Sequence, residues 1–155
     1  MPTPQIKAYL EEHGVSYETI SYEHAFDAQH VAAAAHVSGK QMAKTVMVKL
    51  DDRLVMAVVP ANARVDFLHL QEATGTSLAA LAKEEDFKGM FGDAEVGAMP
   101  PFGPLYDVEV FVDEGLAAGE VVAFRAGVHG ELIQMAYSDF ERLARPHVLA
   151  LAYHR

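Results

Sequence analysis

The stretch Met42-Ala43-Lys44-Thr45-Val46-Met47-Val48-Lys49-Leu50 constrains this chain more than any other. Val46, Val48 and Leu50 share one parity, and residues two apart in an extended strand line one face. The next residue back on that apolar face is Lys44. Stability alone would not select an ammonium there. One reading is a strand that delivers a lysine to the edge of an interior or a pocket. The other is a strand-end lysine whose stem is buried and whose head is in water. Partial desolvation of the head would lower its pKa, which suits catalysis or ligand binding.

At 155 residues, the chain is expected to form one domain, 1–155, with a real core. Its 51% hydrophobic and 22% charged content is a globular balance. No apolar run reaches the length of a membrane span, and Met-Pro-Thr-Pro-Gln lacks the pattern of a signal peptide. The absence of cysteine excludes disulfides, thiol nucleophiles and thiolate metal sites. A cytoplasmic protein is the expectation. The formal net charge of -10 argues against a broad phosphate-binding surface. Yet no acidic residue lies between Asp27 and Asp51, and Lys40, Lys44 and Lys49 fall inside that gap. This is either one basic face able to dock a short piece of nucleic acid or a chance gap in acid placement.

Along the chain, Thr3-Pro4 predicts a capped helix through Ile6, Tyr9 and Leu10, stopped by Gly14. Val15 to Tyr22 reads as a strand with a shift of register. Asp27 caps a helix from Ala28 to about His36. The Lys44 strand and Leu54 to Val59 form a hairpin around Asp51-Asp52. Asp66 caps a helix ending at Gly75, Ser77 opens another carrying Leu78, Leu81 and Ala82, and a third spans Glu84 to Met90. Strands follow at Val108 to Val112, Val121 to Ala126 and Leu132 to Ala136, the last two joined by Gly127-Val128-His129-Gly130. Ser138-Asp139-Phe140-Glu141 is a capping box for a final helix, Pro146 ends it, and a short apolar tail follows. The fold class is α+β: a mixed, largely antiparallel sheet, partly barrel-like, flanked by helices.

Walker, GxGxxG and GxSxG motifs are absent. The eight histidines include no HExxH or comparable pair, so no metal is expected. Gly97-Ala98-Met99-Pro100-Pro101-Phe102-Gly103-Pro104 is more specific. Its prolines and glycines preclude a helix or a central strand. Its amides could hold a carbonyl or a developing oxyanion, or the segment is a rigid surface turn. His129, between two turn residues, either reaches a pocket or faces solvent.

Ala43-Lys44-Thr45-Val46, then Glu95 to Gly103, then Ala126-Gly127-Val128-His129, together resemble the YbaK/prolyl-tRNA-synthetase-associated editing domain family. The resemblance runs in order over nearly the whole chain. It rests on a lysine ahead of an apolar strand and on a GxxxP loop, Gly97 to Pro101. It implies a trans-acting hydrolase that cleaves the ester between an amino acid and the terminal adenosine of mischarged tRNA, without metal or cofactor. The amino acid would be alanine or another small residue on proline-accepting tRNA, and water the nucleophile. Lys44 would be the central catalytic-site residue, and the backbone of Gly97, Ala98, Met99, Pro100 and Pro101 would position the carbonyl and its oxyanion. His24, Thr45, Phe102, Gly103 and His129 would border the substrate, and Lys40 and Lys49 would dock tRNA. A synthetase is a second implied partner, and a monomer is expected. Many members carry a small polar residue where Pro100 stands, so amino-acid preference does not carry over. A binding module of the same fold, without hydrolysis, and a hydrolase of other small esters or amides are the rival readings.

Overall fold

A computed structural model describes residues 2–25 and 27–153. The elements, in order, are α1 (Pro4–Glu12), β1 (Tyr17–Ser21), α2 (Ala28–Ala34), β2 (Ala43–Leu50), β3 (Arg53–Pro60), β4 (Arg64–Val65), α3 (Phe67–Thr74) and β5 (Ala79–Leu81). They continue with α4 (Glu84–Phe87), a 3-10 turn (Gly103–Tyr106), β6 (Glu109–Asp113), α5 (Glu114–Ala117), β7 (Val121–Arg125), β8 (Glu131–Ala136), α6 (Tyr137–Ala144), β9 (His147–Leu149) and β10 (Ala152–Tyr153). A five-stranded sheet runs β5-β2-β3-β6-β9, a three-stranded sheet runs β1-β8-β7, and β10 pairs with β4. The large sheet is mixed: β3–β6 and β6–β9 are parallel, whereas β2 pairs antiparallel on both sides.

Alternation on β2 has a meaning on both faces. Val48 and Leu50 are buried with Val55, Val59, Phe111 and Leu70, under α3. Ala43 and Met47 are buried on the opposite face with Met56, Val58, Val110 and Val112, against Phe124 and Ile133 of the small sheet. The large sheet is thus covered on both sides, and Lys44 shares the parity of the first face. A parallel bridge between Met42 and Ala123 joins the start of β2 to β7. The two sheets meet there without closing a barrel among the described residues.

Four local expectations change. The segment after Ser77 is an edge strand, not a helix: the Asp51 carboxylate accepts the Ser77 and Leu78 amides and Gln71 Oε1 accepts that of Ala79. These bonds extend the backbone alongside β2 and leave Leu78 and Leu81 exposed. The Ser138 capping box does not form; α6 starts at Tyr137, with Ala136 rather than Ser138 at the N-cap, where the Tyr137 amide donates to Glu120 O and the ring is buried. Thr3 makes no capping bond with its hydroxyl and is buried, its amide donating to Ala126 O. The tail beyond Pro146 adds β9 to the large sheet and pairs β10 with β4.

Gly127 holds two parts of this architecture together. Its φ is +86°, and a Cβ there would lie 2.7 Å from Thr3 Oγ1. Its amide donates to Ala98 O and its carbonyl accepts from the Glu95 amide. Gly127→Ala is expected to cost about 1–3 kcal/mol of stability, measured by urea unfolding, because it combines a left-handed backbone with a clash.

Candidate active site

The site lies where β2 begins. Pairing of β2 with β3 sets Lys44 opposite Val59 and Ala43 opposite Pro60. The chain beyond Pro60 therefore runs back beside the lysine, and Ala61 to Arg64 line its surroundings. From the other side come α2, capped by Asp27, and the 97–103 loop.

Two adjoining cavities share Asp27, Ala28 and Lys44. The smaller, about 240 Å³, is also lined by Thr45, Gly97, Met99 and Arg125. The larger, about 470 Å³, is lined by Gln29, Asn62 and Arg64 among others. Lys44 is half-buried. Desolvation lowers its pKa below the usual lysine range and the nearby Arg64 charge lowers it further, with Asp27 opposing. Asp27 is committed to α2: Oδ1 accepts the His30 amide at 3.0 Å, and Oδ2 meets His30 Nδ1. These bonds lower the Asp27 pKa.

The loop is fixed from behind. Arg125 Nη1 donates to Gly97 O, and His129 Nε2 lies 3.2 Å from Val96 O and 3.7 Å from a Glu95 carboxylate oxygen. Gly97 has φ +86°, and a Cβ on it would sit 3.5 Å from the His129 ring. The Ala98 amide donates to Glu95 O, and that of Gly97 points to Met99 Sδ at 3.0 Å. Pro100 and Pro101 have no amide hydrogen. The Met99 N–H donates to no protein acceptor among the described residues.

The expected site residues therefore separate. Lys44, Thr45, Gly97 and Met99 line one cavity. Thr45 does so although parity sends it to the face opposite Lys44, because the loop packs against that face at the mouth of the strand. Ala98, Pro100 and Pro101 are buried behind the cavity. Phe102 and Gly103 do not border it. Phe102 is fully buried and stacks near Tyr9, Phe124 and Phe140, and a Cβ on Gly103 would overlap the Val108 carbonyl oxygen. His129 braces the loop rather than lining the cavity. His24 has a positive φ and a side chain 94% exposed, and lines neither cavity. Lys40 is exposed in the turn before β2. Lys49 is ion-paired to Asp86 at 3.7 Å, roughly 17 Å from Lys44 along the strand.

Asp27, Asn62, Arg64 and Arg125 were not among the expected site residues. The hairpin register offered a signal for Asn62 and Arg64, since whatever follows Pro60 must flank Lys44. Arg125 directly precedes the Ala126-Gly127 segment.

Comparison with known proteins fits this geometry. The model of the aminoacyl-tRNA editing domain matches residues 22–143. The chain belongs to that family of editing domains. It is 30% identical over 90 residues to a proline–tRNA ligase of Bacillus cytotoxicus, an alignment covering 58% of this chain and 16% of the ligase. A ligase of Bacillus cereus strain AH187 is 27% identical over the same shares. The chain thus spans about a sixth of those ligases' length. Among solved structures, a proposed trans-editing enzyme for prolyl-tRNA synthetase superposes with a TM-score of 0.82 at 19% identity, covering 99% of both chains. That likeness extends the shared fold beyond the aligned sequence.

Proposed function

We propose that this editing domain is a free-standing aminoacyl-tRNA deacylase that hydrolyses the ester of mischarged tRNA, with alanine or another small amino acid on proline-accepting tRNA as its substrate. The observation that carries the reading is the shared cavity of Lys44, Gly97 and Met99. Its volume of about 240 Å³ suits a small aminoacyl group. Synthetases need such correction because a difference of one methylene yields too little discrimination by binding. In this reading Lys44 donates to the ester or the terminal ribose. The Met99 amide is the remaining loop donor for the developing oxyanion, while Gly97 O, held by Arg125, fixes the loop's position. Water attacks the carbonyl carbon, the ester C–O bond breaks, and the ribose oxygen leaves with a proton. Lys40 is the nearer docking charge for tRNA, and Lys49 a more distant one already paired with Asp86. The site would act in the cytoplasm, on a monomer.

The test is a panel of mischarged tRNAs offered to the wild-type chain. Release of alanine from proline-accepting tRNA, with slower release of proline, is the expected result. Saturable tRNA binding with no amino acid released from any member would replace the enzyme by a binding module. Equal turnover of free aminoacyl esters, indifferent to tRNA, would make it a general esterase.

A further inference from the structure

The last strands of the chain are fastened to the active-site wall through one buried carboxylate. Asp113, at the end of β6, is 7% exposed. Its Oδ2 accepts the Gly115 amide at 2.9 Å, which caps the short helix α5. Its Oδ1 accepts the Leu151 and Ala152 amides, both at 3.1 Å, and these bonds have no such local purpose. They reach 38 and 39 residues along the chain, to the point where β10 begins. There β10 pairs with β4, setting Ala152 opposite Val65 and Tyr153 opposite Arg64. The Asp66 amide, just beyond β4, donates to Leu151 O. Among the described residues β4 pairs with no other strand. A buried carboxylate is costly unless donors replace its hydration, and two of the three donors here belong to the tail.

We infer that Asp113 is a positioning residue of the active site: by gripping Leu151 and Ala152 it keeps β10 on β4 and so sets Arg64 beside Lys44. Asp113 lines neither cavity and acts through the backbone. The inference rests on the deacylase reading for its catalytic consequence. Leu151, fully buried with Val65, Leu70 and Phe111, holds the same strap from its apolar side. The charged groups around Lys44 are Arg64 from β4, Asp27 from the cap of α2 and Arg125 from β7. Of these, Arg64 is the one whose strand is paired with the strap. Without β10, the two residues of β4 lose their partner and the guanidinium moves away from the lysine. The Lys44 pKa, which Arg64 lowers, then rises.

The experiment titrates Lys44 directly, by NMR of the ε-carbon of isotopically labelled lysine, in wild type, Asp113→Ala and Asp113→Asn. Leu10→Ala, at a fully buried position of α1, is the control for general destabilisation. Hydrogen exchange at the Asp66 amide, which is bonded to the strap and not to Asp113, reports whether the strap is in place. In Asp113→Ala that amide should lose its protection, and the Lys44 pKa should rise toward the ordinary lysine value. Asp113→Asn keeps one acceptor oxygen for two sets of donors, so it should show the same changes in smaller measure; it carries the comparison if the alanine variant does not fold. Leu10→Ala should leave the Lys44 pKa where it is. In an Arg64→Gln background, where that pKa is already raised, Asp113→Ala should add nothing to it. On mischarged tRNA, kcat/KM should fall by up to about 10²-fold, the loss for a displacement of about 1 Å near the chemistry. An Asp66 amide that stays protected, or a released strap with an unmoved Lys44 pKa, would overturn the inference. So would an equal shift in Leu10→Ala, or full additivity with Arg64→Gln. If the wild type deacylates no tRNA, the deacylase reading fails separately, and the Lys44 titration still decides the positioning role.

Discussion

Lys44→Ala is expected to lower kcat/KM on mischarged tRNA by about 10²–10³-fold, the range for loss of one positioned donor to a developing charge. The same variant should melt at or above the temperature of the wild type. The reason is electrostatic. Burial and the Arg64 charge hold the Lys44 pKa below 10.5, so the folded state disfavours the ammonium. At pH values below the lowered pKa both folded and unfolded chains hold the proton, and the desolvation cost is fully present. As pH rises through the lowered pKa toward 10.5, the folded state binds fewer protons than the unfolded one. The stability contribution of this group therefore increases across that window. Lys44→Met should remove this rise, measured as the difference in unfolding free energy between neutral and alkaline pH. A Lys44→Ala chain that stays folded and fully active would remove the lysine from the chemistry. A destabilised but active one would make it a structural residue.

Phe102→Ala is expected to be the most destabilising of the site-adjacent changes. Phe102 is fully buried between the 3-10 turn, α1, β7 and α6. Loss of such a side chain costs about 3–5 kcal/mol through the removed apolar area and the cavity left behind. The measurement is chemical denaturation, with deacylation assayed on the remaining folded fraction. The specific activity of that fraction should be close to wild type. A fully stable variant with a changed KM would return Phe102 to the substrate-binding surface.

These two residues mark what could be read in the sequence. Lys44 was legible because strand periodicity is strict: a charged residue on an apolar parity stands out without any knowledge of its neighbours. The proline-glycine loop was legible as a loop, but its outward and inward residues were not, because no periodicity governs such a segment. Phe102 and Gly103 continued the motif in sequence while turning into the core. The segment after Ser77 failed for another reason. Its helix signal was local, but the carboxylate of Asp51, more than twenty-five residues away in sequence, and the side-chain amide of Gln71, in the preceding helix, accept its amides instead. Arg125 was invisible because its role depends on Gly97, which only the tertiary fold brings near.

The hairpin of β2 and β3 carries a consequence for the order in which this site is built. Lys44 belongs to a hairpin closed by a two-residue turn, and such a unit closes in about 1–10 μs, whereas Arg64, four residues beyond that hairpin, is held by the pairing of β4 with β10 near the other end of the chain. Gly97, Met99 and Arg125 come from distant parts of the chain and reach Lys44 only once the sheets have joined at Met42 and Ala123. Contacts of long sequence separation form later, after their loop-closure cost is met. A folding chain therefore aligns the Lys44 strand before either of the cavities beside it is complete.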